Sequence, residues 1–88
     1  MDRNELLREI ALWKTERDNA IRSQDVKIFK AFFEKWKAKA YYDVELPSDY
    51  VLEISLRKML YNMKNATVKE KEQAKKWLIE RGIDTNVN

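Results

Sequence analysis

Apolar residues recur at three- and four-residue steps in four stretches of the chain, separated by short polar connections. In the first stretch Leu6, Ile10, Trp13, Ala20 and Ile21 fall on one helical face. Leu7, Ala11 and Leu12 widen that face, and Arg17 interrupts it. Asp2, Glu5 and Glu9 come early, where a helix dipole favours negative charge. The pattern predicts a first helix from Asp2 or Arg3 to Arg22. A turn at Ser23-Gln24 follows, and either Ser23 or Asp25 suits the cap of a second helix. That helix is expected over residues 26–40. Ile28, Phe29, Phe32, Phe33, Trp36 and Ala40 share its broad apolar face, with Lys27, Lys30, Glu34 and Lys37 opposite. Lys35 and Lys39 flank the apolar face, where their stems can cover it while the charges reach water.

Residues 41–46 have no period, and Pro47 pushes Leu46 toward extended backbone. Ser48 then caps a third helix expected from Asp49 to Met63. Leu52, Leu56, Met59, Leu60 and Met63 form one stripe on it. Tyr50, Ile54 and Tyr61 form a second stripe on nearly the opposite side. A helix apolar on two sides is central in its bundle or keeps one face for a partner. After Lys64-Asn65-Ala66, the run Thr67-Val68-Lys69-Glu70 fits a capping box, in which the cap and third residue satisfy each other's backbone donors. A fourth helix runs from there to Arg81, with Ala74, Trp77 and Leu78 inward and Glu72, Lys76 and Glu80 on the outer ladder. Gly82 stands where a left-handed cap belongs, and Ile83 can close it. The expected fold is all-α, a compact bundle of about four helices. It forms a single domain over residues 1–83, with a flexible tail at 84–88.

Composition narrows the functional classes. One Gly and one Pro in 88 residues are too few for the turns of a β-rich protein. Aromatic residues make up 11% of the chain, which argues for a packed core rather than disorder. Cys and His are absent, which excludes disulfides and the common zinc sites. The start of the chain lacks the apolar run of a signal peptide, and no stretch approaches a membrane span. A cytoplasmic chain with no membrane partner is expected. Net charge is only +3, but its distribution is uneven. Residues 26–39 carry five Lys against Glu34, and residues 57–81 carry eight Lys or Arg against three Glu. Asp43, Glu45, Asp49 and Glu53 lie between them, so the simplest expectation is mutual compensation across the folded surface.

Candidate chemistry is sparse. A nucleophile needs a neighbouring base, usually His, and Ser23 and Ser48 are better placed as helix caps. One Gly at a helix end cannot form a phosphate-binding loop. The four acids of residues 43–53 lack the spacing of a calcium loop. A non-enzymatic chain with no cofactor and no metal is expected. Two surface readings remain. Tyr50, Ile54 and Tyr61, extended by Tyr41 and Tyr42, suit a protein interface, with another protein or a second copy as partner. Lys27, Lys30 and Lys37, or Lys69, Lys71, Lys75 and Lys76, suit a small DNA- or RNA-binding regulator. Glu70, Glu72 and Glu80 alternate with the second lysine set, and phosphate binding wants a coherent positive surface.

The run Leu46-Pro47-Ser48-Asp49-Tyr50-Val51-Leu52-Glu53-Ile54, together with residues 74–82 (AKKWLIERG), resembles small helical proteins of bacterial phages and prophages. The resemblance covers roughly the second half and carries no diagnostic motif. It transfers no functional residue. It implies a regulator or inhibitor that acts by binding a host or phage protein.

Overall fold

The computed structural model describes residues 2–85. These form four helices: α1 (Arg3–Ser23), α2 (Val26–Ala38), α3 (Asp49–Asn62) and α4 (Val68–Glu80). No strand occurs among the described residues. The fold is all-α, as the periodicity predicts. Of the expected tail, Asp84 and Thr85 follow the last helix, and residues 86–88 lie outside the described residues.

Each helix begins at a side chain that accepts a backbone N–H. Asp2 caps α1, Asp25 caps α2, Ser48 caps α3 and Thr67 caps α4. At the α1–α2 turn Asp25 is therefore the cap. Ser23 instead donates its hydroxyl to the Ala20 carbonyl and accepts from the Asp25 N–H. The Thr67–Glu70 capping box is complete. The expected end of α4 is also present, with Gly82 left-handed at φ 68°. Its N–H bonds the Ile79 carbonyl and that of Ile83 bonds the Leu78 carbonyl, the Schellman arrangement.

Helix α2 ends two residues earlier than its apolar period suggests. Ala40 is left-handed at φ 66°. Its N–H bonds the Lys37 carbonyl, and the Tyr41 N–H bonds the Trp36 carbonyl. This is again a Schellman ending, with Ala where Gly is usual. A β-carbon in the left-handed region is sterically costly, so sequence alone gave no sign of the stop. The turn brings Tyr41 back onto Trp36, ring edge to ring face at 4.8 Å.

The core is built on α2. Phe29, Phe32, Phe33 and Trp36 are buried, with Ala20 and Ile21 from α1, Leu52, Leu56 and Leu60 from α3, and Ala74 and Leu78 from α4. Helix α3 packs against the other three helices, while α4 docks chiefly on α3. Two ion pairs clamp α1 to α2, Glu16 with Lys35 and Glu9 with Lys39. The ammonium groups of both lysines also lie over the Trp36 ring, at 5.4 and 4.7 Å from its centroid. Their stems thus cover the apolar face.

Four positions of the expected apolar face of α1 lie outside. Leu6, Leu7, Ala11 and Leu12 are exposed. Glu9 pairs with Lys39, just past the end of α2, and residues 3–8 before it are all exposed. Leu6 lies on the apolar face of α1, yet it is 46% exposed. Leu12 faces the other way. Ile28 is also exposed, in the first turn of α2, and Ala40 is exposed in the turn that ends the helix.

Two substitutions separate these roles in urea unfolding. Trp36→Ala should lose about 3–5 kcal/mol, because a large buried ring leaves a cavity. Ala40→Gly should gain about 0.5–1 kcal/mol, because Gly accepts the left-handed turn without the β-carbon clash.

Candidate functional site

Two lysines of α2 are engaged by the acidic segment that follows it. Lys30 pairs with Asp49, and Lys37 pairs with Glu45 at 2.5 Å. Donating a hydrogen bond to the Glu45 carboxylate raises the Lys37 pKa, with burial opposing it. Only Lys27 of this set has no ion pair among the described residues. The strip that looks most coherently basic in sequence is thereby neutralised in place. Among the described residues no group of three acids stands close enough to hold a metal ion.

The two loop tyrosines are half-buried and packed against the core. Tyr42 stacks on Phe33 with centroids 4.6 Å apart and planes 9° from parallel. Its hydroxyl oxygen accepts a hydrogen bond from the Trp13 indole N–H at 2.6 Å. Tyr41 contacts both Trp36 and Trp13. Burial, aided by the Glu9 carboxylate, raises the Tyr41 pKa. These two residues therefore tie the loop to the α1–α2 hairpin. Tyr50, Ile54 and Tyr61 are arranged differently. Tyr50 is 55% exposed, Ile54 is half-buried, and Tyr61 is half-buried against the core.

Tyr61 lines a shallow groove between α3 and α4, together with Val68, Lys71, Glu72 and Lys75. Val68, Lys71, Lys75 and Ile79 follow one another at steps of three and four, so they share one side of α4. Val68 is 73% exposed and Ile79 57%. Lys71 and Lys75 make no ion pair among the described residues. The groove thus brings together an aromatic residue from one sequence reading and two lysines from the other. Lys69 and Lys76 lie on a different side of α4, and Lys76 faces Glu80 at 3.9 Å. The four lysines of α4 form two separate pairs.

The start of α4 is capped by its own residues and tied to the end of α1. The Thr67 N–H donates to Glu70 Oε1 at 2.8 Å, and the Glu70 N–H donates to Thr67 Oγ1 at 3.1 Å. Arg22 reaches from the end of α1 to the Glu70 carboxylate at 3.4 Å and also donates to the Asn65 carbonyl. The Thr67 backbone N–H, above all, lowers the Glu70 pKa, with burial opposing and the Thr67 hydroxyl and Arg22 assisting.

A second, more enclosed cavity involves residues to which the sequence assigned no functional role. It lies where the end of α1 meets α3 and α4, and Arg22, Gln24, Arg57 and Trp77 line it. Gln24 is left-handed at φ 53°. Its side-chain amide donates to the Ile21 and Leu56 carbonyls, while its Oε1 accepts from Arg57. Gln24 and Arg57 meet from 33 residues apart, and no local spacing marks that contact.

Comparison with family models, with curated proteins and with solved structures gives no match. No helix among the described residues is long and apolar enough to cross a membrane.

Because the folded pKa of Glu70 lies below its unfolded value, its contribution is complete above the unfolded pKa and lost as pH falls through the folded one. Acidification should therefore lower the hydrogen-exchange protection factor of the Thr67 amide. In Glu70→Gln that protection should no longer change over the same acid range, as amide-resolved exchange would show.

Proposed function

We propose that this chain is a small non-enzymatic protein-interaction module whose docking face is the α3–α4 groove centred on Tyr61. One observation carries the reading. An aromatic ring and two exposed aliphatic residues, Val68 and Ile79, accompany two lysines that have no counter-ion among the described residues. Elsewhere most cations near an acid are paired, including Lys30, Lys35, Lys37 and Lys39. Tyrosine suits such a face because it offers an apolar body and a polar tip.

The complementary partner presents acidic side chains around an apolar anchor. Opposite potentials speed encounter and fix register. A second copy of the chain fits less well, since a two-fold pairing here sets Lys71 and Lys75 against the same lysines. The phage-type resemblance of the second half agrees with a regulator or inhibitor working through this contact in the cytoplasm. Nucleic acid is the second reading, favoured by Lys69, Lys71 and Lys75, none of which has an ion pair among the described residues. Glu72 between the lysines and the apolar lining of the groove weigh against it.

Affinity capture from a lysate, with and without nuclease, tests the proposal. Tyr61→Glu and the double variant Lys71→Glu/Lys75→Glu should each weaken retention of a nuclease-resistant protein partner by about 2 kcal/mol or more. Both should keep the wild-type helical circular dichroism. If Tyr61→Glu unfolds the domain while the double lysine variant retains every partner, the groove is not the docking face. Loss of all retained material on nuclease treatment supports the nucleic-acid reading instead.

A further inference from the structure

The cavity at the junction of α1, α3 and α4 is independent of the docking groove and has a different chemical character. Leu60 and Ala74 form its apolar lining, and Trp77 supplies an aromatic wall. Its volume is about 250 Å³, room for a small group rather than a polypeptide segment. Arg57 enters it from α3. One terminal nitrogen, Nη1, donates to the Gln24 carbonyl at 3.1 Å and to Gln24 Oε1 at 2.8 Å. Both acceptors are neutral, and no ion pair reaches Arg57 among the described residues. Its Nε and Nη2 protons have no acceptor among those residues.

The surroundings carry both signs: Glu70 also lines the cavity, where it pairs with Arg22, and Glu53 acts on Arg57 more strongly than Arg81 does. The Arg57 guanidinium lies 4.8 Å from the Trp77 ring centroid, and that of Arg81 lies 3.9 Å from the same centroid. Two like charges thus share one indole. Burial lowers the Arg57 pKa and Arg81 lowers it further, while Glu53 opposes them. Arg22 is the third guanidinium, and Glu70 partly balances it. A left-handed Gln24, bonded to three other residues, holds the Arg57 fork in position. Backbone strain of this kind at a polar cavity persists only where neighbours over-determine it.

We propose that this cavity is an oxyanion-binding site, in which Arg57, assisted by Arg22, takes the carboxylate or phosphate group of a small ligand. A guanidinium fork matches the spacing of two oxygens on either group, and such charge-assisted pairs are the strongest of ordinary hydrogen bonds. The anion would answer the charge that Arg57 and Arg81 concentrate around Trp77. Gln73 at the cavity edge supplies an amide for the ligand's remaining oxygen.

Titration with inorganic phosphate and with acetate, followed by the NMR signals of the Trp77 indole N–H and Arg57 Nε–H, tests the site. Chloride at matched ionic strength is the control. A saturable shift with either anion and none with chloride supports the proposal, and the anion that acts identifies the ligand as phosphate- or carboxylate-bearing. Arg57→Lys keeps the charge but loses the fork, and should weaken the response about tenfold. Circular dichroism would confirm that this variant folds. Should the wild-type protein respond to neither anion, or respond equally to chloride, the site does not exist as proposed. An unchanged affinity in folded Arg57→Lys would also remove Arg57 from the role.

Discussion

Trp36 is wholly buried, and the path of the chain after α2 follows from keeping it so. The left-handed turn at Ala40 folds Tyr41 onto the Trp36 ring and delivers Tyr42 to Phe33 and Trp13. An irregular connection would otherwise be a loose end in a small domain. Here two aromatic rings and one buried-side hydrogen bond attach it to the α1–α2 hairpin. The steric cost of a left-handed alanine is small beside the apolar area those rings remove from water. With the connection fixed, the start of α3 is also placed, because Asp49 and Glu45 then stand within reach of Lys30 and Lys37.

The same geometry decides which surface charges are left for other work. Glu45 of the acidic connection pairs with Lys37, and Asp49 at the start of α3 pairs with Lys30. The glutamates of α1 take Lys35 and Lys39. Each such exposed pair contributes little stability. Their consequence lies in what they remove from the positive surface. Lys71 and Lys75 on α4 have no acid beside them except Glu72, and they border the groove that Tyr61 occupies. Functional interest therefore moves from the strip that is most basic in sequence to the groove beside Tyr61, where two lysines without an ion pair among the described residues accompany apolar residues and Glu72.

Helix positions and caps were legible because they depend on local spacing. Thr67 with Glu70, and Gly82 with Ile83, are complete signals within a few residues. The stop at Ala40 was not legible, since Ala carries no mark of a left-handed turn. The exposure of Leu6 was not legible either. Periodicity gives the direction a side chain faces but not whether another helix extends that far. Of the two surface groups, Tyr61 and the α4 lysines were each visible alone. Their meeting depends on how α4 lies against α3. The role of Tyr41 and Tyr42 beside Trp13 and Phe33 joins residues 29 apart in the case of the Trp13–Tyr42 bond, and no local pattern encodes that. The Arg57–Gln24 contact was hidden for the same reason.

The account rests most on the attachment of the 40–47 connection to the aromatic core. Nuclear Overhauser contacts between the Tyr42 ring and the rings of Phe33 and Trp13 measure it directly. The structure predicts strong contacts to both, together with contacts between Tyr41 and Trp36. If the rings of Tyr41 and Tyr42 show contacts only to their chain neighbours, the connection is not attached. The tyrosines then return to the surface, and the arrangement of charges derived from that attachment fails with it.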